Sequence, residues 1–381
     1  YKGLQHLVLD TMEGDFLLLE YAGSDKLYLP VDRINLVQRY VGSEGITPVL
    51  DRLGGAGWEK KKAKVLESVR EMAGELLKIY ASRQVEEGFS FSPPDDLYRE
   101  FEASFAYEET PDQMSAIEDV LGDMEKDKPM DRLICGDVGY GKTEVAMRGA
   151  FKAVMDGKQV AVLVPTTVLA QQHLETFRKR FEAYPVKVEM VSRFRSPKQL
   201  KTILEDVKKG EIDIIIGTHR LLQKDVVFKD LGLVIIDEEH RFGVAHKEKL
   251  KQYRAVVDVM TLTATPIPRT LHMSLTGIRE LSIIDTPPVD RLSIKTFVAR
   301  FSDDMIREAV MRELRRGGQV FFVHNRVQSI QAMAEYLQSL VPEARLAVGH
   351  GQMNEKELEK VMLGFMHGEY NLLLCTTIIE S

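Results

Sequence analysis

The 381-residue sequence predicts an α/β protein: two parallel-sheet lobes, the second one truncated, preceded by a small all-β module and a long linker helix. Three observations predict it. Short strand-like runs fill the first 50 residues. Apolar strands alternating with amphipathic helices begin near Phe105, and a second such series begins near Leu292. Runs nearly continuous in Val, Ile and Leu suit strands covered on both faces by crossover helices, so the sheets should be mostly parallel.

In the first 50 residues, "HLVLD", "DFLLLEYA" and "KLYLPV" are separated by turn signals at Glu13-Gly14 and Gly23-Ser24-Asp25. "RLGGAGW" breaks that pattern. From Trp58 a long helix is expected, because Leu66, Val69, Ala73, Leu76 and Tyr80 recur at steps of three and four. Its basic start, "WEKKKAK", is either a solvated face or a phosphate contact. The first lobe should use "RLICG", "QVAVLVP", "KVEMVS", "IDIIIGTH", "LGLVIIDEEH" and "VVDVMTLTAT" as strands, and the second "IKTFVAR", "GQVFFVHN", "ARLAVGH" and "YNLLLCTT". Pro287 and Pro288 in "IIDTPPVDR" mark the joint. The expected divisions are therefore 1–50, 51–100, 101–285 and 286–381.

Hydrophobic residues at 44% and charged residues at 29% exclude a disordered or fibrous chain. No apolar run approaches the ~20 residues of a membrane span. Tyr1 stands first and no leader pattern follows it, which reads as a segment cut from a longer chain. Cys135 and Cys375 each end an apolar run, as buried free thiols of a cytoplasmic protein do, so no zinc site is expected. A net charge of -7 leaves room for a local basic groove.

"CGDVGYGKTEVAMRGAF" follows a strand and opens a helix, and fits G-x-x-x-x-G-K-[ST] in the required setting. Gly136, Gly139 and Gly141 let backbone N–H groups converge on phosphate oxygens, with Asp137, Val138 and Tyr140 between them. Lys142 is expected on the β- and γ-phosphates of ATP, and the Thr143 hydroxyl on Mg²⁺. Upstream, Thr110 and Pro111 suit a helix start, and the Gln113 amide can both donate to and accept from an adenine edge. Asp237 ends an apolar strand about 95 residues after the loop, where such a sheet puts its Mg²⁺-holding carboxylate. Glu238 then orients or deprotonates the attacking water, and Glu239 is a bystander or lies behind the other two. His240 taken alone is no more than a strand-end histidine.

The set "TPDQ", "GDVGYGKT", "VPTTVLAQQ", "IGTHRLL", "DEEHRFG", "LTATPIPRT", "VGHGQM" and "TTIIES" resembles the motif series of superfamily 2 helicases and translocases, whose lobes are RecA-like. Within them the run resembles the bacterial transcription-repair coupling factors over nearly the whole chain, and the RecG helicases next. RecG carries a wedge domain ahead of its motor and usually DEQH, where this chain has Glu239. The resemblance implies that Gln113 reads adenine, that Asp237 and Glu238 are the metal and water acids, and that His240, Thr263 and Thr265 couple nucleotide state to DNA grip. Pro165, Thr166, Thr167, Thr218, His219 and Arg269 would lie along the DNA path. Asn325, Arg326, His350, Gly351, Gln352, Thr376 and Thr377 would line the second lobe's side of the track or cleft.

The implied partners are double-stranded DNA, held by its backbone without base readout, and the RNA polymerase β subunit, held by residues 1–50 through an exposed edge strand. Leu17, Leu19 and Leu27 serve either that surface or the module's core. The family's contact with UvrA falls outside this chain. A Q-x-x-G-R-x-G-R segment, whose arginine reaches the γ-phosphate, does not occur before "CTTIIES", so this chain is expected to bind ATP and hydrolyse it poorly. A fork-remodelling helicase and a nonenzymatic nucleotide switch are the competing readings.

Overall fold

The computed structural model describes residues 1–9, 12–23, 25–37, 50, 52–53, 62–64, 66–67, 74, 77, 80–83, 85–192, 195–239, 242, 249–250, 253–264, 279–289, 291 and 294–377. The chain divides into two compact units, Tyr1–Lys78 and Ile79–Ser381.

The first unit holds an antiparallel sheet of β1 (Gly3–Leu9), β2 (Met12–Glu20) and β3 (Lys26–Pro30), ordered β1-β2-β3. The central strand is the apolar one, and Phe16, Leu17 and Leu18 are buried in succession, which covers both of its faces. Glu13 and Gly14 do not form the expected turn. Leu9 pairs with Met12, so both residues continue the ladder opposite Val8 and Leu7; glycine inside a strand marks weak packing as readily as a turn. The described residues between 62 and 85 are helical. Trp58, Val69, Ala73 and Leu76 lie outside the described residues.

In the second unit, β4 (Asp131–Gly136), β5 (Gln159–Leu163), β6 (Val188–Val191), β7 (Ile214–Gly217), β8 (Leu231–Asp237), β9 (Asp258–Thr263) and β10 (Glu280–Ile284) form one sheet ordered β10-β4-β9-β8-β5-β7-β6. Every pairing is parallel. Helices α1 (Asp96–Ala103), α2 (Pro111–Met124), α3 (Lys142–Met155), α4 (Thr167–Phe181) and α5 (Pro197–Lys209) accompany it. Two apolar clusters cover the strands, one around Phe101, Phe151 and Phe177 and the other around Val207, Ile215 and Leu250. β10 is an addition to the expected set: Ile283 and Ile284 of the supposed joint end an edge strand beside β4.

At the amino ends of these strands the preceding chain is fastened. Gly88 N–H donates to the Asp127 carbonyl and Phe91 N–H to that of Met124, while the Arg83 guanidinium donates to the Pro129 carbonyl. A side chain at Gly88 would meet the Lys128–Pro129 backbone at 2.6 Å.

A smaller parallel sheet follows, β11 (Val320–Val323), β12 (Leu346–Gly349) and β13 (Leu372–Cys375), ordered β11-β13-β12. It is flanked by α6 (Asp303–Arg315), α7 (Val327–Leu340) and α8 (Glu355–Met366). Residues 294–300, expected as a strand, join no ladder, and Val298 is 99% exposed. β-propensity alone does not hold a strand without a partner and a covered face. Both cysteines are free and buried.

Candidate nucleotide-binding site

All seven strands of the large sheet point the same way, so the residues after them gather along one rim. That rim carries the loop after β4, the Pro165–Thr167 turn after β5, Thr218 and His219 after β7, the acids ending β8, and Thr263 ending β9. Ligands of open parallel sheets bind at this carboxyl edge.

The loop is fixed from two sides. A Cβ at Gly136 would stand 2.9 Å from the Ile284 carbonyl of β10. Gly141 caps α3 at φ 81, and a Cβ there would stand 2.4 Å from Gln113 Nε2. Gln113 makes that approach because it belongs to a capping box. Its Oε1 accepts from Thr110 N–H at 3.0 Å, Thr110 Oγ1 accepts from Gln113 N–H, and Nε2 donates to the Tyr140 carbonyl at 2.9 Å. Thr110 and Pro111 start the helix as expected, and Gln113 shares in the capping. One amide N–H and one oxygen lone pair remain to it.

Lys142 Nζ donates to the carbonyls of Gly136, at 2.6 Å, and Asp137, at 2.9 Å. Burial depresses its pKa, opposed by the charges of Asp237 and Glu238. Only β9 separates β4 from β8, so the loop and the acids stand about 10 Å apart. A gap of that width is large enough for a phosphoryl group and a small cation. Thr143, in the first turn of α3, and Asp237 offer hard oxygen ligands, and Mg²⁺ commonly takes one or two protein ligands with phosphate and water filling the rest.

Asp237 is held by a residue the sequence reading missed. His173 of α4 is buried, and its Nε2 lies 3.0 Å from Asp237 Oδ2. Glu238 has φ 50, the one described non-glycine residue with positive φ, a conformation costing about 1 kcal/mol or more that tends to persist at functional sites. It turns the carboxylate toward β9, where Oε1 accepts from Ala264 N–H at 3.1 Å. The "DEEH" and "LTAT" segments therefore touch through Glu238. His240, Thr265 and Arg269 lie outside the described residues.

Glu239 is no bystander. Its carboxylate accepts from Arg254 Nη2 at 2.7 Å and lies 3.8 Å from Arg279 Nη1, while both arginines flank the buried Asp131. Two guanidinium charges are thus matched by two carboxylates. Glutamine in place of Glu239 would leave that buried group with an excess positive charge.

Of the residues expected along a DNA path, Thr166 caps α4 and accepts from Leu169 N–H. Thr167 is buried and donates its hydroxyl to Glu359 of α8 at 2.8 Å, a bond between the two sheets' helices. Thr218 is half-buried and His219 exposed. In the smaller sheet, Asn325 Oδ1 accepts from Thr377 N–H, Thr376 N–H donates to the Gly349 carbonyl, and Arg326 caps α7. His350 Nδ1 is buried without a partner, and Gly351 and Gln352 are exposed.

The joint between the sheets runs across the site. Asp112, next to Gln113, accepts from Asp285 N–H, Thr286 N–H and Thr286 Oγ1. Arg291 Nη2 donates to Asp137 Oδ2 at 2.9 Å, and its guanidinium lies 4.6 Å from the centroid of the Tyr140 ring. That hydrogen bond, followed by one from Val138 N–H, holds the Asp137 carboxyl below its usual range.

A glycine-rich loop that opens a helix, two acids two strands away and a second, smaller parallel sheet make a helicase-like core. The DEAD/DEAH box helicase family matches residues 110–274, and the helicase conserved C-terminal domain matches 303–381. The CarD-like/TRCF RID domain matches residues 1–41. Over all 381 residues the chain is 56% identical to the transcription-repair-coupling factor of Bacillus subtilis, 58% to that of Myxococcus xanthus and 56% to that of Escherichia coli. It belongs to the transcription-repair-coupling factor family, and spans about a third (32–33%) of the length of these relatives. Among solved structures it is similar to RecG bound to a three-way DNA junction, with a TM-score of 0.66 and 29% identity over 96% of this chain and 56% of that one. The helicase MrfA bound to DNA shares the fold, at a TM-score of 0.55 and 17% identity over 77% of this chain and 46% of that one. No described helix is long and apolar enough to cross a membrane.

Proposed function

We propose that this chain is the motor segment of an ATP-driven double-stranded DNA translocase, which engages stalled RNA polymerase through residues 1–50 and so couples transcription to nucleotide excision repair. One observation carries the motor reading: Lys142 shares its surroundings with Asp237 and Glu238 across the single intervening strand β9. In it, loop N–H groups and Lys142 hold the β- and γ-phosphates of ATP, Gln113 meets the adenine, Thr143 and Asp237 hold Mg²⁺, and Glu238 orients the water. The contact from Ala264 N–H to Glu238 then passes nucleotide state to "LTAT", and the rim residues Pro165, Thr166, Thr218 and His219 grip the DNA backbone. Thr167 reaches that path only when it leaves Glu359, which fits lobes that close and open in turn.

Glu238→Gln in the whole protein tests the motor: DNA-stimulated ATP hydrolysis should fall by about 10²-fold or more, with ATP binding retained. An unaltered rate would favour a nucleotide-bound scaffold. The 381-residue chain itself should hydrolyse ATP slowly, because it contains no Q-x-x-G-R-x-G-R arginine.

The polymerase reading is supported by the RID domain match over residues 1–41 and by the edges of the first unit's sheet, β1 and β3, each of which pairs only with β2 among the described residues. Retention of the polymerase β subunit by residues 1–50 tests it. The fork-remodelling alternative draws on the likeness to RecG; stimulation of ATP hydrolysis by forked DNA, with no response to a stalled polymerase, would favour it.

A further inference from the structure

The joint between the two sheets brings a cation to the phosphate loop that neither the motif series nor the proposed site uses. Arg291 follows Pro287 and Pro288, and its guanidinium rests on the loop, bonded to Asp137 and lying against Tyr140. The start of the joint is pinned separately, by the three hydrogen bonds that Asp112 accepts. Two consecutive prolines stiffen the connection between those anchors. Arg291 is therefore delivered to the loop by a short, restrained arm.

The Asp137 carboxylate makes an unusual pair of bonds. Oδ1 accepts from Val138 N–H of the loop at 2.7 Å, and Oδ2 accepts from Arg291 at 2.9 Å. A backbone N–H of a glycine-rich loop and a guanidinium are the donors that a phosphate oxygen takes. The carboxylate thus occupies, with a single negative charge, the bonds a polyphosphate would make with several. Asp137 and Arg291 are both partly exposed, at 57% and 36% of their side-chain surface, so exchanging one partner for another needs no core rearrangement.

We propose that Arg291 is a nucleotide-binding residue supplied by the inter-lobe joint: its guanidinium passes from Asp137 to the β- or γ-phosphate of a nucleoside triphosphate, so that the joint senses occupancy of the loop. This rests on the reading of Gly136–Thr143 as a phosphate loop. Asp137 is then an internal competitor that weakens nucleotide binding and, when the nucleotide leaves, takes the joint back.

The test measures affinity of the whole protein for a non-hydrolysable ATP analogue, ADP and AMP. Arg291→Ala should weaken the ATP analogue about three- to tenfold and leave AMP unchanged, with Arg291→Lys recovering part of the loss. Asp137→Asn should tighten the ATP analogue, and that gain should vanish in the double variant, because the two residues act on one bond. Unchanged affinity in Arg291→Ala, while Lys142→Ala abolishes binding, would overturn the proposal and leave the phosphate loop standing. Unchanged affinity in Lys142→Ala as well would remove the loop reading itself. An equal loss for AMP and the ATP analogue would put the arginine on the base or ribose, and so also reject the handover.

Discussion

The two parallel sheets of residues 79–381 come from the same alternation of strand and helix, yet they bury different things. Beneath the large sheet's helices lie Arg148, Lys152, Asp123, Arg132, Asp131, Arg254 and Asp258, all under 9% exposed. In the smaller sheet and its helices the one buried polar residue among those described is Thr376. Its charges pair on the surface, as Arg312 does with Glu308. A desolvated charge must be matched by a partner at fixed geometry, whereas an apolar side chain needs only volume. The lobe that carries the loop and the acids thus adds directional bonds to its apolar packing, and the other relies on packing.

The sharpest way to break this contrast is at Arg148. Its guanidinium is fully buried among Glu102, Glu109 and Glu144, and so ties the chain around α1 to the helix that begins at Lys142. Arg148→Met should cost about 3–5 kcal/mol, because it leaves the largely buried Glu109 without its guanidinium and Glu144 with Arg180 alone. Calorimetry should show the lobe of the large sheet melting earlier. Arg312→Ala, made in the smaller lobe, should leave the same trace unmoved.

A pH series comes next. Burial pushes the Asp258 carboxyl up to about 8, against the hydrogen bond it accepts from Met130 N–H. Between about pH 4 and pH 8 the folded state then holds a proton that the unfolded state has lost, so this group makes stability fall as pH rises, by about 1.4 kcal/mol per unit. Asp258→Asn should remove that slope from chemical denaturation. An unchanged slope would mean that the carboxylate is ionised and paired.

The smallest effect expected is at Glu239. Glu239→Gln should destabilise by about 1–3 kcal/mol, from the two arginines left with one carboxylate. Pairing it with Arg254→Met should recover part of the loss. If the double variant is as unstable as the sum of the single ones, Glu239 and Arg254 do not act together.

The contrast also sets what could be read from sequence. The loop was legible because its glycines, lysine and threonine act within eight consecutive residues, and the strands were legible because burial on both faces leaves apolar runs. Glu239 was not, since its partners Arg254 and Arg279 lie 15 and 40 positions away and nothing local marks them. No local pattern sets His173 apart from the other residues of its helix, or Arg291 from the other charges that follow the joint's prolines. "IKTFVAR" has the composition of a strand, and whether it becomes one depends on a neighbouring edge, which composition does not encode. β10 went unseen because two prolines close behind it outweighed the apolar pair at its end.

The fastening of residues 83–91 at the amino ends of the large sheet has a mechanical consequence. The candidate nucleotide site lies at the opposite ends of the same strands, so a pull entering at Arg83 or Gly88 and resisted at that rim would run lengthwise along them. Neighbouring strands are then loaded in shear, with many ladder bonds strained together, rather than peeled apart one bond at a time. Load entering there would reach the rim of Lys142, Asp237 and Glu238 along the strands' own axes.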